Sequence, residues 1–211
     1  MKPEVCEAFC DFTDRFEGKL PFMYTDSVGL VTTGRGNLID GGARRNVVND
    51  PLGMTGPQPA LALPWRYADG SIAPARDIQM AWWAVKNAWP KVQSNHCGYL
   101  TTMRLTDGAI DQLTFSVLSQ MWHEAAERFK AIESWPACAQ LGVMSMAWAM
   151  GGAFEAGFPK FCAAADAQDW TTCAVECRMT KPPVPEARND ANVKLFLGAR
   201  RALDIHAALA T

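Results

Sequence analysis

Apolar side chains recur every three or four residues along most of this chain, which is the spacing of one face of an α-helix. These stripes predict helices over residues 3–17, 74–89, 106–132, 134–150, 159–166, 169–178 and 185–208. Thr106 is an expected N-cap, and Gly18 and Gly151 are expected helix stops. The helix that ends at Met150 is apolar on every side, so we expect it to be buried all round.

The spacing of apolar residues changes between residues 19 and 40. Short apolar runs alternate there with turn residues, namely Asp26, Ser27, Gly29, Gly34 and Gly36. This pattern predicts a small antiparallel sheet. Residues 41–72 are rich in glycine, proline and asparagine and are predicted to be mostly loop. The expected fold class is α+β, predominantly helical with a small antiparallel β-hairpin lobe.

Two carboxylates border this hairpin. Glu17 lies in the last turn of the first predicted helix, where the helix dipole and partial burial both favour the protonated form of a carboxyl group. Asp26 lies in a polar turn beside Thr25 and Ser27, so we expect it to stay ionised. Two carboxylates held apart across a cleft are what hydrolysis of a glycosidic bond requires. A solvated surface glutamate and an Asx-turn aspartate are the alternatives.

The spacing around these carboxylates resembles the phage-type (T4-type) lysozymes, muramidases that cut the glycan strands of bacterial peptidoglycan. The positions that carry the resemblance are Glu17, Gly18, Tyr24, Asp26, Gly29, Thr32, Gly34 and Gly36. Farther along, residues 146–151 resemble the family's buried central helix, and Arg188, Ala191 and Phe196 match its last helix. Asn37 departs from the family, which commonly has histidine there, and we expect no loss of chemistry from this change.

The resemblance implies one lysozyme-like domain over residues 1–211 with its site in a cleft between two lobes. The β lobe would occupy about 18–40 and the helical lobe about 101–211. Residues from about 41 to 100 have no counterpart in the family and are interpreted as an insertion. The tryptophans of this insertion, Trp65, Trp82, Trp83 and Trp89, indicate that it packs on other parts of the chain.

The resemblance also implies roles for individual residues. Glu17 would donate a proton to the leaving oxygen, Asp26 would assist the attacking water, and Thr32 would position that water. Substrate-binding positions follow in the same way: Tyr24, Leu38, Trp148 and Arg188. Arg188 would also face the catalytic glutamate. From the residues alone, Thr32 is better interpreted as a strand former, and the alternatives for the other two are a core residue for Trp148 and a surface residue at a helix start for Arg188.

The implied activity is hydrolysis of the β-1,4 bond between N-acetylmuramic acid and N-acetylglucosamine, with inversion at the sugar carbon. No metal or organic cofactor is implied. Two alternatives stay open: a lytic transglycosylase that uses Glu17 only, and a non-catalytic wall-binding or structural module of a phage or secretion particle. Peptidoglycan is the expected partner, and an antibacterial effector of this kind would also have an immunity protein.

Composition narrows the range of partners. The formal net charge of −2 gives no electrostatic basis for binding nucleic acid or an anionic membrane. No signal peptide is recognisable near Met1, and no apolar run approaches the length of a membrane span. We therefore expect synthesis in the cytoplasm, no membrane insertion, and action in the periplasm or cell wall after delivery by a holin or a secretion apparatus.

Cysteine and histidine usage gives no strong sign of a metal. An odd number of cysteines, 7, excludes complete internal pairing. We interpret most of them as free thiols that act as small apolar residues, with one or two disulfides formed after export, or a metal site, as alternatives. The segment from His123 to Glu127 falls one residue short of a zinc-protease motif, because Glu127 replaces the second histidine.

Overall fold

The computed structural model describes residues 1–43, 56–151, 154–180 and 186–209. Its helices are α1 (Pro3–Glu17), α2 (Gln58–Leu61), α3 (Ala75–Ala88), α4 (Asp107–Arg128), α5 (Ala137–Met150), α6 (Phe154–Gly157), α7 (Pro159–Asp166), α8 (Trp170–Glu176) and α9 (Glu186–Leu209). The strands are β1 (Leu20–Thr25), β2 (Val31–Gly34) and β3 (Asn37–Leu38), which form an antiparallel sheet in the order β1-β2-β3. The predicted α+β class, mostly helical with a small antiparallel sheet, is confirmed.

Cap and stop residues in the sequence predicted several helix ends correctly. Helix α1 ends at Glu17, and Gly18 follows with a φ of 70°, a left-handed conformation that glycine adopts without strain. The hydroxyl of Thr106 accepts a hydrogen bond from the Ala109 N–H at 3.2 Å, so the predicted N-cap of α4 is confirmed. Gly151 ends α5 with a φ of 68°.

The apolar stripe of α4 predicts a helix that continues to about residue 132, but the helix ends at Arg128. The chain then forms a 3-10 turn over Ile132–Ser134. This tighter turn accompanies burial of three large side chains spaced three apart, Phe129, Ile132 and Trp135. Their spacing continues the helical stripe, so periodicity alone could not show where the α-helix ends.

Two other predictions concern segments that lie partly outside the described residues. Of the loop expected over residues 41–72, the structure describes 41–43 and 56–72. These described parts contain the 3-10 helix Gly41–Ala43 and the short helix α2. The helix start expected at residue 185 lies outside the described residues, and α9 is described from Glu186.

The chain divides into two compact units, each with its own core. One unit contains Met1–Phe16 and Phe115–Thr211, and the other contains Glu17–Thr114. In the Glu17–Thr114 unit, Met23 and Val31 of the sheet share a core with Trp65 and Trp82. The segment interpreted as an insertion is therefore part of the same unit as the hairpin, and two of its tryptophans pack as expected.

Helix α5 lies at the centre of the other unit, and its residues from Ala139 to Ala147 are buried. It packs closely on α9 at Gly142, where an added Cβ would lie 2.7 Å from Cζ of Phe196. Phe196 is itself enclosed, with ring centroids 5.2 Å from Phe161 and 6.4 Å from Trp170. This position therefore has no room for a side chain.

Replacing Gly142 with alanine should destabilise the protein by about 1–3 kcal/mol, because the new methyl group overpacks against a ring that cannot move away. Gly108 is the matched control, since it also lies in a helix but an added Cβ there would meet nothing within 4 Å. Thermal unfolding of Gly142→Ala and Gly108→Ala measures the difference. Equal midpoints for the two variants would contradict this packing.

All seven cysteines lie in the described residues, and none of them is in a disulfide there. Burial raises the pKa of Cys173 to about 12, and the nearby charges of Asp169, Cys177 and Cys162 act in the same direction. Burial also raises the pKa of Cys177 to about 11. Because the thiolate is the reactive form, these two thiols are chemically protected.

A thiol reagent at about pH 8 should therefore label Cys6, which is only half-buried, well before Cys173 or Cys177. The two buried thiols should react only after unfolding in denaturant. Mass spectrometry of alkylated peptides identifies each site, and Cys6→Ser should remove the fast phase. Rapid labelling of Cys173 in the folded protein would show that this description of the core is wrong.

Candidate functional site

Three of the predicted site residues are neighbours across the sheet. Thr32 of β2 is paired directly with Tyr24 of β1 and with Leu38 of β3. Residues paired in this way project from the same face of a sheet, so the three form one row. Tyr24 and Thr32 are buried, whereas Leu38 is 49% exposed. The Thr32 hydroxyl donates a hydrogen bond to the Tyr24 carbonyl at 3.3 Å.

Asp26 lies at the start of the turn between β1 and β2. Its Oδ1 accepts hydrogen bonds from the N–H groups of Val28 at 2.9 Å and Leu30 at 2.8 Å. Its own N–H donates to the Leu30 carbonyl at 2.9 Å. These bonds fix the carboxylate orientation, and Oδ2 has no hydrogen-bond partner among the described residues. The expected turn position is confirmed.

Glu17 is half-buried and reaches the turn between β2 and β3. An added Cβ on Gly36 would lie 3.3 Å from Oε2 of Glu17. Gly36 also has a φ of 78°, a conformation that favours glycine on its own account. Position 36 therefore favours glycine for two separate reasons. The turn needs a left-handed backbone, and Glu17 occupies the space that a side chain would need.

The phenol of Tyr24 connects the two carboxylates electrostatically. Burial is the main cause that raises the pKa of Tyr24, hydrogen bonding to Thr32 and to the Gly36 backbone lowers it, and the charges of Glu17 and Asp26 raise it further. The phenol therefore stays protonated at ordinary pH. The charges of both carboxylates therefore affect the pKa of this one side chain.

A buried arginine supports the turn that meets Glu17. Arg35 is 2% exposed and donates to Asp111 Oδ1 at 2.7 Å and to the Thr114 hydroxyl at 3.3 Å. Burial opposes ionisation of Asp111, but hydrogen bonding to Arg35 and the charges of Arg35 and Lys19 outweigh it and lower the pKa of that carboxyl. Asn37 accepts a hydrogen bond from the Arg35 N–H at 3.1 Å, so it has a structural contact in this turn.

The remaining two predicted residues, Trp148 and Arg188, belong to the other unit. Trp148 is half-buried and meets the Phe9 ring edge-on, with centroids 5.2 Å apart. Arg188 is only 2% exposed, and its guanidinium carbon lies 4.9 Å from the centroid of the Phe16 ring. Such burial favours a role in orienting neighbouring side chains over direct contact with a ligand.

Sequence reasoning missed the residues that brace the hairpin. Asp40 is 3% exposed and pairs with Lys86 at 2.7 Å, and the same ammonium donates to the Gly29 carbonyl at 2.8 Å. Nothing near Asp40 in the chain marks it as a paired residue. The one available signal was the high tryptophan content around Lys86, which predicted packing but no specific contact.

The described residues contain no group of three or more histidine, cysteine, aspartate or glutamate side chains arranged to hold a metal ion. None of the helices described is long and apolar enough to cross a membrane.

The fold and site define an α+β protein in which a helix-end glutamate and a turn aspartate both act on one buried tyrosine of a small sheet. Comparison with models of protein families gave no match to this chain, and comparison with curated proteins gave none either.

Gly36→Ala should lower the unfolding free energy by about 1–2 kcal/mol through its left-handed backbone alone, and by more through the contact with Glu17. Gly70→Ala is the matched control. Gly70 has a φ of 85°, but an added Cβ there would meet nothing within 4 Å. Denaturant titration of both variants isolates the contact, because the backbone cost is shared. A second substitution, Glu17→Ala, should remove most of the excess cost at Gly36 and leave Gly70→Ala unaffected.

Proposed function

We propose that this chain is a peptidoglycan hydrolase of lysozyme-like fold. In this proposal it cleaves the β-1,4 bond between N-acetylmuramic acid and N-acetylglucosamine by general acid/base catalysis. The observation that carries the proposal is that Glu17 lies against Gly36, in the turn between β2 and β3, and Asp26 begins the turn between β1 and β2, so that both carboxylates adjoin one small sheet. Two carboxylates in different settings around one surface are the elements that glycoside hydrolysis uses.

The settings of the two carboxylates support different roles. Glu17 is the last residue of helix α1, and in this proposal it donates a proton to the leaving oxygen. Asp26 has Oδ1 held by two backbone N–H groups, which fix the orientation of the carboxylate. Its Oδ2 would take a proton from the attacking water.

The stereochemical outcome depends on the distance between the two carboxyl groups. Inversion requires about 6.5–9.5 Å so that a water molecule fits, whereas about 5–5.5 Å allows direct nucleophilic attack and retention. We propose inversion, with Thr32 assisting placement of the water. Leu38 is exposed and is available to contact sugar.

Peptidoglycan lies outside the cytoplasmic membrane, so the proposed activity requires delivery. A phage endolysin and a secreted antibacterial effector both meet this requirement. An effector would need an immunity protein in the producing cell, and such a protein would be expected to cover the site.

Glu17→Gln should reduce hydrolysis of purified sacculi by at least about 100-fold, because the amide cannot donate the proton. Asp26→Asn should also reduce it strongly. Glu7→Gln is the matched control, since Glu7 is exposed on the same helix and undergoes the same chemical change. Release of reducing sugar measures the rate, and mass spectrometry identifies the products.

The products separate this proposal from its alternatives. Hydrolysis leaves reducing N-acetylmuramic acid ends. Anhydromuramoyl ends, with activity that survives Asp26→Asn, would assign a lytic transglycosylase instead. If wild type and Glu17→Gln release the same negligible amount of sugar while wild type still binds sacculi, the chain is a binding module and the proposal is wrong.

A further inference from the structure

The turn that carries Asp26 is held at both ends by a segment outside the family resemblance. Thr25 precedes Asp26, and its carbonyl accepts a hydrogen bond from the Ser94 hydroxyl at 2.5 Å. Gly29 follows it, and its carbonyl accepts from the Lys86 ammonium at 2.8 Å. Lys86 lies in α3, and Ser94 begins the 3-10 helix Ser94–Tyr99. Two elements of this segment thus flank the aspartate.

Lys86 is itself fixed in place. Its ammonium pairs with Oδ2 of Asp40 at 2.7 Å and lies 5.9 Å from the centroid of the Trp82 ring. Asp40 also accepts a hydrogen bond from the Val31 N–H at 3.2 Å, which ties it to the first residue of β2. One charged group therefore joins the tip of the turn to the strand that follows it.

A tryptophan covers the same turn. Gly29 has a φ of 84°, and an added Cβ would lie 2.9 Å from Cδ2 and 3.1 Å from Cε3 of Trp89. Close approach to adjacent atoms of the ring indicates that Trp89 lies against the glycine backbone. The Lys86 ammonium at the Gly29 carbonyl and the Trp89 indole against Gly29 together restrict movement of the turn.

These contacts reach the Asp26 carboxylate through the backbone. The N–H groups that hold Oδ1 belong to Val28 and Leu30, the residues on either side of Gly29. If Gly29 moves, both hydrogen bonds change. We propose that Lys86, supported by Trp89, is a positioning residue that fixes the Asp26 carboxylate for the reaction. This inference rests on the proposed function, because it assigns Asp26 a catalytic role.

Loss of a residue that positions a catalytic group has a different kinetic effect from loss of a residue that binds substrate. A displacement of about 1 Å in a catalytic group can reduce the rate on the order of 100-fold. Lys86 acts on the turn backbone and has no proposed contact with sugar. Its removal should therefore lower kcat and leave KM nearly unchanged.

Hydrogen exchange tests the structural part of the inference without any need for activity. In Lys86→Met, the amide protons of Val28 and Leu30 should exchange at least about tenfold faster, since local opening becomes easier. Lys91→Met is the control, because Lys91 is an exposed lysine just beyond α3. Unchanged exchange at both amides in Lys86→Met would overturn the inference.

Kinetics on purified sacculi tests the functional part. Lys86→Met should lower kcat on the order of 10- to 100-fold, with KM within about twofold of wild type. Lys86→Arg keeps the charge and donors and should recover at least part of the lost kcat. A change confined to KM, or a Lys86→Met enzyme that matches Lys91→Met, would overturn the inference.

Two further variants keep the test valid if Lys86→Met fails to fold, because its loss leaves the buried Asp40 charge unpaired. Lys86→Met combined with Asp40→Asn removes both charges. Trp89→Ala alters a residue that is 43% exposed and so should fold. Each should reproduce the faster exchange and the lower kcat, and normal values in both would overturn the inference.

The outcomes also separate this inference from the function it rests on. If wild type hydrolyses sacculi, Glu17→Gln is inactive and the Lys86 variants are normal, the muramidase proposal stands and the positioning role is wrong. If wild type and Glu17→Gln are equally inactive, the proposed function fails, and the positioning role fails with it even where exchange at Val28 and Leu30 increases.

Discussion

The ion pair between the buried Arg35 and the partly exposed Asp111 anchors the hairpin to helix α4. A sheet of three short strands has too little apolar surface to be stable without packing against other elements. Arg35 joins the turn between β2 and β3 to helix α4 through this pair. A guanidinium buried so completely is tolerated only when its donors are satisfied, and Asp111 and the Thr114 hydroxyl both accept from it.

The same turn supplies the glycine that lies against Glu17. Because the ion pair fixes Arg35, it also fixes Gly36, the next residue, and with it the space that the glutamate occupies. A second ion pair, between the buried Asp40 and the half-buried Lys86, acts on the opposite turn, where Asp26 lies. Each carboxylate of the candidate site thus borders a turn that a separate buried charge holds in place.

This arrangement gives a structural role to the described part of residues 41–100, the segment that the sequence analysis interpreted as an insertion. It shares a core with the sheet, and its charged and aromatic side chains meet the backbone around Asp26. A catalytic aspartate on an exposed turn needs such support, since turns open more easily than helices or sheet centres. The proposed hydrolase would therefore obtain from this segment a rigidity that its hairpin alone does not provide.

The sequence alone determined the features that depend on near neighbours. The apolar stripe and Gly18 placed the end of α1 at Glu17, and turn residues placed Asp26 beyond β1. Only the tertiary structure decided which charges pair, because Arg35 and Asp111 are 76 positions apart and Asp40 and Lys86 are 46 apart. Which groups meet a buried charge follows from the packing of distant elements, which periodicity and spacing do not encode.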